Sequence, residues 1–536
     1  MTSDSTSPPE PRRLPLWPFA VLALAVVWSV VLRVPLVLNA RAHLDGDLAV
    51  DGLTLLDMTK GVFRWHYPGT PHIGIAPAFA SLPQAWIWGA TSETLVSGGL
   101  VIQALVMIAC FVLSWRCDGP SAACWSLLPL TFASTGLIWL SGRITGGHLL
   151  SVAMHAGVFI GLQLVLTRPG LGRAFGLGVW SGLALWVDSM GLLSVAAMLA
   201  SAALAWWRSG HSPKAFRLFG IGLLGFALGI VPKGIGGRVD PYDSYREQFQ
   251  PIWETPVLLQ HGGILFRDCL PRLVAGHRIF TLQSDPLWSS IPTFSLRHAR
   301  ESSRVLDETT AHLSLLLFGL AVGFAARGGW NDPSATVRFG LLLSGVLVIV
   351  GFILNRNIFN ADNYRYLVFL IPVWSLGTGR LFHAIVRKGT GGAAAGLILA
   401  VAFAAVMTLD ARLWYERFGW LEGRRPIVPA LEEPVLDWLN EHPEVDVLSG
   451  SYWQGYKIAF LTAGRVKGIP YPIFPNRFPE WSKGLPGGHA RFLFSSRDRE
   501  SLNFRVMAQQ AGGVDLLRTP QGNILTWPSV GLTPPQ

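Results

Sequence analysis

The sequence has 536 residues, of which 50% are hydrophobic and only 14% charged, and its mean hydropathy is +0.39. A soluble chain of this length would carry about 25% charged residues, so an ordinary soluble enzyme is excluded. The net charge of +10 stands mostly in short loops between apolar runs, where membrane topology accounts for it and no nucleic-acid partner is needed.

A Ser/Pro-rich segment at 2–12 is expected to be disordered. After Arg12 and Arg13 comes an apolar stretch at about 15–38, too long for a signal-peptide core and long enough to span a bilayer. It is read as an uncleaved first span, although Ala40-Arg41-Ala42 mimics a cleavage site. Further apolar runs lie at roughly 96–115, 120–140, 148–167, 174–187, 190–207, 218–234, 311–326, 338–355, 366–386 and 390–409. The run at about 73–91, interrupted by Pro77 and Pro83 and carrying Trp86 and Trp88, is predicted to be an interfacial helix. Cys110, Cys117 and Cys124 fall in or beside apolar runs and Cys269 has no evident partner, so no disulfide framework is expected.

Positive charge sets the expected orientation. With the N-terminus inside, the cytoplasmic loops hold Arg116, Arg168, Arg173, Arg208, Arg327 and Arg387, among others. The short outer loops hold only Arg143 and the pair Arg356 and Arg365. Three large outer pieces follow, at about 39–95, 235–310 and 410–536. In the last, helical signals at about 432–441 and 452–463 (the second closed by Gly464) alternate with strand-like runs at about 445–450, 465–471 and 490–495. A helix near 498–511 and a hairpin around Pro520-Gln521-Gly522-Asn523 complete a small α/β unit. The predicted organisation is a cytoplasmic N-terminus (1–14), a transmembrane region (15–409) and an extracytoplasmic C-terminal domain (410–536). The fold class is an all-α polytopic membrane protein of about eleven transmembrane helices with that α/β addition, placed in the plasma (inner) membrane.

The unusual polar residues gather in the outer loops. His43-Leu44-Asp45-Gly46-Asp47-Leu48-Ala49-Val50-Asp51 brings three carboxylates to the outer mouth of the first span, a costly placement near lipid. At i, i+4 on a helix, Asp47 and Asp51 share one face. They are the residues that would hold a divalent cation, or one would take a proton from an acceptor hydroxyl. Equally, one aspartate caps a helix at about 48–60 and the others are solvated; Asp45 is the better cap. His66 to His72 form a Pro/Gly-rich aromatic loop that could line a sugar-sized site or be only a loop. Arg143 is a bilayer anchor or a phosphate ligand. Asp188 is a helix cap or a site carboxylate, and Lys233 adds a cation at the same level. In Asn363-Tyr364-Arg365-Tyr366, an arginine between tyrosines would either snorkel to headgroups or clamp a lipid-linked phosphate, with the tyrosines against a sugar. Walker, dinucleotide and zinc-protease motifs are absent.

Together these features resemble the GT-C glycosyltransferase superfamily, in the branch of protein O-mannosyltransferases and lipid A aminoarabinose transferases. The resemblance rests on the acidic first outer loop, the interfacial segment, Arg365-Tyr366-Leu367 before Pro372, and the outer stretches Tyr452-Trp453-Gln454-Gly455-Tyr456-Lys457 and Asn476-Arg477-Phe478-Pro479. It implies transfer of a sugar from a polyprenyl-phosphate donor to a lipid, glycan or protein acceptor, with inversion, on the extracytoplasmic face. It makes Asp47 the catalytic carboxylate and Arg365 the phosphate ligand, with Arg143 and Lys233 as weaker ones. The chain departs from the resemblance in having Leu48 where many relatives place Glu. The competing expectation is a transporter or flippase, which would want polar groups near the membrane midplane and paired broken helices; a third is a non-catalytic scaffold.

Overall fold

The computed structural model describes residues 15–144, 147–208, 213–239, 250–275, 300–327, 332–417, 420–421, 432–483, 485, 491–496, 499–519 and 522–527. The expected disordered segment at 2–12, most of the loop at 276–299 and the turn at 520–521 lie outside these residues.

Among the described residues, eight helices are long and apolar enough to cross a bilayer: Trp17–Leu38, Ser92–Asp118, His148–Thr167, Gly191–Arg208, Lys214–Val239, Pro333–Leu354, Ala361–Val386 and Thr390–Glu416. The pair Pro120–Thr131 and Thr135–Ser141, bent by 84°, makes a ninth if it is one span. At this bend the Ser134 hydroxyl accepts from Leu137 N (3.1 Å) and donates to the Leu273 carbonyl (2.6 Å), supplying partners that a broken helix in lipid would otherwise lack. The two remaining expected segments are shorter apolar helices, Leu171–Val187 and His312–Ala326. Every run read as a span is thus helical, and the protein is a multi-pass membrane protein.

Close helix packing follows from small residues. Gly178 and Gly182, one turn apart on the Leu171–Val187 helix, meet Gly222, Phe226 and Gly229 of the neighbouring Pro213–Gly229 helix backbone to backbone. A Cβ at Gly229 would strike the Val179 carbonyl. Membrane helices gain little hydrophobic energy from pairing, so such close approach supplies the dispersion that holds them together.

The segment at 73–91 departs from a single interfacial helix. The strands β1 (His66–Tyr67) and β2 (Thr70–Gly74) form a hairpin, followed by a 3-10 helix Ala76–Ala80 and a short α-helix Leu82–Trp88. Pro77 and Pro83 each open one of these pieces, where a missing N–H costs nothing. Trp86, Ile87 and Trp88 are exposed, as an interfacial element requires.

In the C-terminal region, β3 (Val447–Gly450), β4 (Lys467–Pro470), β5 (Phe492–Ser496), β6 (Asp515–Arg518) and β7 (Gly522–Thr526) form one sheet in the order β4-β3-β5-β7-β6. β3 runs parallel to β4 and β5, whereas β7 pairs antiparallel with β5 and β6. Alternate residues feed two separate cores: Phe494 and Ile524 pack with Val435 and Ile458, Leu493 and Leu525 with Tyr471 and Phe504. The helix Tyr452–Leu461 links β3 to β4 and ends at two left-handed residues, Ala463 and Gly464. Its Tyr452, Tyr456, Ala459 and Phe460 belong to the large core that runs through the spanning helices, so the sheet region is seated on the membrane part rather than tethered to it.

Replacing Gly229 by Leu is expected to lower the thermal unfolding midpoint in detergent, at a cost of about 1–3 kcal/mol from overpacking; a midpoint equal to wild type would show that the two helices are not held by close contact.

Candidate active site

The acidic helix Gly46–Thr59 begins where the sequence places a cap. The Asp45 carboxylate accepts from Leu48 N at 2.9 Å while its own backbone stays extended. Arg143 forms an ion pair with the same Asp45 and lies over the Trp139 ring at 5.1 Å. Arg143 therefore fastens the cap.

Asp47 lies in the first turn, where the helix dipole favours negative charge. One of its carboxylate oxygens accepts from the Tyr452 hydroxyl at 2.6 Å, and its backbone carbonyl accepts from the Tyr67 hydroxyl at 2.9 Å. Asp51, one turn on and on the same face, is 3% exposed. Burial, then Tyr452, Asp47 and Asp51, holds the Tyr67 phenol well above its ordinary value, so it stays a hydrogen-bond donor. Among the described residues no three His, Cys, Asp or Glu side chains gather as metal ligands do. Asp47 and Asp51 supply two carboxylates, short of the six to eight oxygens a calcium-like cation takes.

Arg365 stands in a ten-residue 3-10 segment, Ala361–Leu370, that leads into the helix Ile371–Val386. An Asn360–Asn363 capping box starts this segment. Side chains three apart eclipse in such a helix, which puts Asp362 and Arg365 on one edge. Asp47 and Asp362 both act electrostatically on Arg365. Its guanidinium lies over the Tyr366 ring at 5.3 Å, and its buried Nε has no hydrogen-bond partner among the described residues. The acidic helix and Arg365, over 300 residues apart in sequence, thus lie within electrostatic reach of each other.

The remaining expected site residues divide into neighbours of this pair and fasteners. Tyr366 packs edge-on to His148 at 5.6 Å, and His148 lies 3.4 Å from Asp188. Asp188 also accepts from Met190 N at 2.8 Å, in the turn before the Gly191–Arg208 helix. Lys233 donates to Pro71 O (3.2 Å) and Ser189 Oγ (2.8 Å), and the His72 carbonyl accepts from Ser189 N (2.9 Å). His66 bridges Tyr67 O and Gly236 O, both at 3.1 Å. Asn363 accepts from Phe359 N and Asn360 N and donates to Asn357 O, and Tyr364 donates to Gly136 O at 3.1 Å. His66, Asn363 and Tyr364 are buried in these bonds and hold loops, where the sequence alone offered them as substrate contacts.

Two residues that sequence reasoning did not place in the site come from the C-terminal region. Arg477, 3% exposed, donates from Nε to the Tyr452 hydroxyl at 3.1 Å and from Nη1 to Gly69 O at 3.3 Å and to Thr70 Oγ1. Its guanidinium lies over both Tyr67 (5.5 Å) and Tyr452 (5.6 Å). Both belong to stretches that carry the family resemblance, which was the only signal available, because contacts across 405 residues leave no spacing pattern.

His43 sits between Trp139 and Trp420 with its Nε2 at 2.9 Å from the Leu36 carbonyl. Burial pushes its imidazole down to about 4. The unfolded chain takes a proton at this position, near pH 6.5, that the folded chain refuses. The stability from burying the neutral ring is therefore complete above about pH 6.5 and declines as pH falls towards 4. His43→Gln should flatten thermal stability against pH across that window, and a slope unchanged from wild type would contradict a buried neutral His43.

No protein-family model and no curated protein matches the sequence. Solved structures do. ArnT from Cupriavidus metallidurans bound to undecaprenyl phosphate superposes with a TM-score of 0.57 at 13% identity, covering 97% of this chain and 99% of that one. The archaeal oligosaccharyltransferase AglB from Archaeoglobus fulgidus, in complex with an inhibitory peptide and a dolichol-phosphate, gives 0.52 at 14% identity over 92% of this chain and 71% of that one. The resemblance read from the outer loops and the architecture agree: the protein has the GT-C glycosyltransferase fold.

Proposed function

We propose that the protein is an inverting glycosyltransferase that moves a sugar from a polyprenyl-phosphate donor to an acceptor hydroxyl on the extracytoplasmic face of the inner membrane. The observation that carries this reading is that Asp47 lies near enough to Arg365 to act on its charge, in a bundle of apolar helices. A carboxylate base and a half-buried cation are what such a transfer asks of a protein. The lipid phosphates in the ArnT and AglB structures support the choice of donor.

Tyr452 engages one oxygen of Asp47, and the other serves the acceptor. As the acceptor oxygen attacks the anomeric carbon, its proton passes to Asp47. The bond from that carbon to the phosphate oxygen breaks on the opposite face, which inverts the centre. The polyprenyl phosphate leaves with the bonding electrons, and Arg365 stabilises the negative charge it gains. Arg365 meets a phosphate without first surrendering an Nε hydrogen bond, and its stacking on Tyr366 keeps it in place. The polar groups lie at one end of the bundle rather than at its middle, which favours this reading over a transporter.

In native membranes, which supply the acceptor, Asp47→Asn is expected to cut release of undecaprenyl phosphate from a panel of undecaprenyl-phosphate pentoses and hexoses by at least about 100-fold, with normal expression; undiminished release would remove Asp47 from the chemistry. Arg365→Gln should weaken donor binding as well as turnover. For sidedness, a cysteine at the exposed Glu480 should react with an impermeant maleimide on spheroplasts. Labelling only after their lysis would place the sheet region in the cytoplasm.

A further inference from the structure

The C-terminal region reaches the reacting carboxylate through two buried side chains in series, Tyr452 in direct contact and Arg477 behind it. Tyr452 opens the helix that packs on the acidic helix, and its hydroxyl stands between Arg477 and Asp47, accepting from the first (3.1 Å) and donating to the second (2.6 Å). Arg477 is itself anchored to the β1–β2 turn through Gly69 O and Thr70 Oγ1. The approach is built into the backbone: a Cβ on Gly46 would come within 2.9 Å of the Tyr452 carbonyl, and one on Gly52 within 2.6 Å of the Phe460 ring. Four separate parts of the chain therefore converge on Asp47: the acidic helix, the β1–β2 hairpin with Tyr67, the helix of Tyr452, and the loop of Arg477.

We propose that Tyr452 and Arg477 are positioning residues for Asp47, making the C-terminal region a working wall of the active site rather than an accessory. The proposal rests on the transfer reading for its consequence but on geometry for its content. Arg477 polarises the Tyr452 hydroxyl, which donates to one carboxylate oxygen and fixes the other towards the acceptor. The groups around Asp47 are Asp51 one turn along the same helix, Tyr67 of the β1–β2 hairpin, Tyr452 with Arg477 behind it, and Arg365, which Asp47 influences electrostatically.

The test uses the full-length protein in nanodiscs. Tyr452→Phe removes one oxygen and keeps the ring, and Arg477→Lys keeps the charge but loses the fork. Two readouts are taken: kcat and KM for undecaprenyl phosphate release from the donor panel, with a lipid extract of the native membrane as acceptor, and the infrared carboxylate stretch of Asp47, defined as the band absent in Asp47→Asn. For Tyr452→Phe we expect that band to shift as the carboxylate loses its hydrogen bond. Its kcat should fall by about 10-fold while the donor KM stays within about two-fold, because Arg365 still holds the phosphate. Arg477→Lys should give a smaller band shift in the same direction. A carboxylate band at the wild-type position in both folded variants overturns the proposal. Absence of release in the wild type with a shifted band would leave the positioning intact and sink the transfer reading instead.

Discussion

The structure depends on one close approach: the helix that opens with Tyr452 lies against the helix that opens with Gly46, near enough that two glycines are required between them. From this contact follow the burial of Phe460 and Tyr456 in the core shared with the spanning helices and the arrival of Tyr452 at Asp47. The seating of Arg477 against the β1–β2 turn follows as well. A charge-assisted hydrogen bond such as that from Tyr452 to Asp47 contributes about 1.5–3 kcal/mol when its partners are held in place. The apolar packing around it does the holding.

The second constraint is electrostatic. A chain with few charges gathers several of them at one end of its bundle, where the cost of proximity to lipid is met by pairing. Asp45 has Arg143, Asp188 has His148, and Asp362 has Arg272 at 2.7 Å. At the opposite end a simpler arrangement, Asp118 with Arg380 and Arg338, ties three helices together. Against this background Arg365 stands out: it rests on an aromatic ring with acidic residues nearby, a posture suited to receiving an anion rather than completing a structural pair.

Most of the architecture was legible in the sequence because bilayers impose a simple rule on composition. Each run of about twenty apolar residues became a helix, except the one at 120–140, which is bent by 84°, and the strands and helices of the C-terminal region fell close to their expected bounds. Asp45 was readable as a cap from its place ahead of Asp47 and Leu48. In the segment at 73–91, Pro77 and Pro83 mark it as interfacial in the sequence, and in the backbone they go further and divide it into two short helices after a strand. Tyr364, Asn363 and His66 look like ligands in a list of polar loop residues. Only the fold shows that their polar atoms are turned to backbone carbonyls and amides. Tyr452 and Arg477 were hidden for the converse reason, since their partners lie some 400 residues away in the chain.

The account turns on whether Asp47 and Arg365 flank a single lipid-phosphate site. A structure of the full-length protein in nanodiscs with undecaprenyl phosphate bound tests this most directly. The account predicts the phosphate beside the Arg365 guanidinium, with the Asp47 carboxylate across from it and Tyr452 still on its other oxygen. A phosphate held elsewhere, with Arg365 resting on Tyr366 as before, would contradict it.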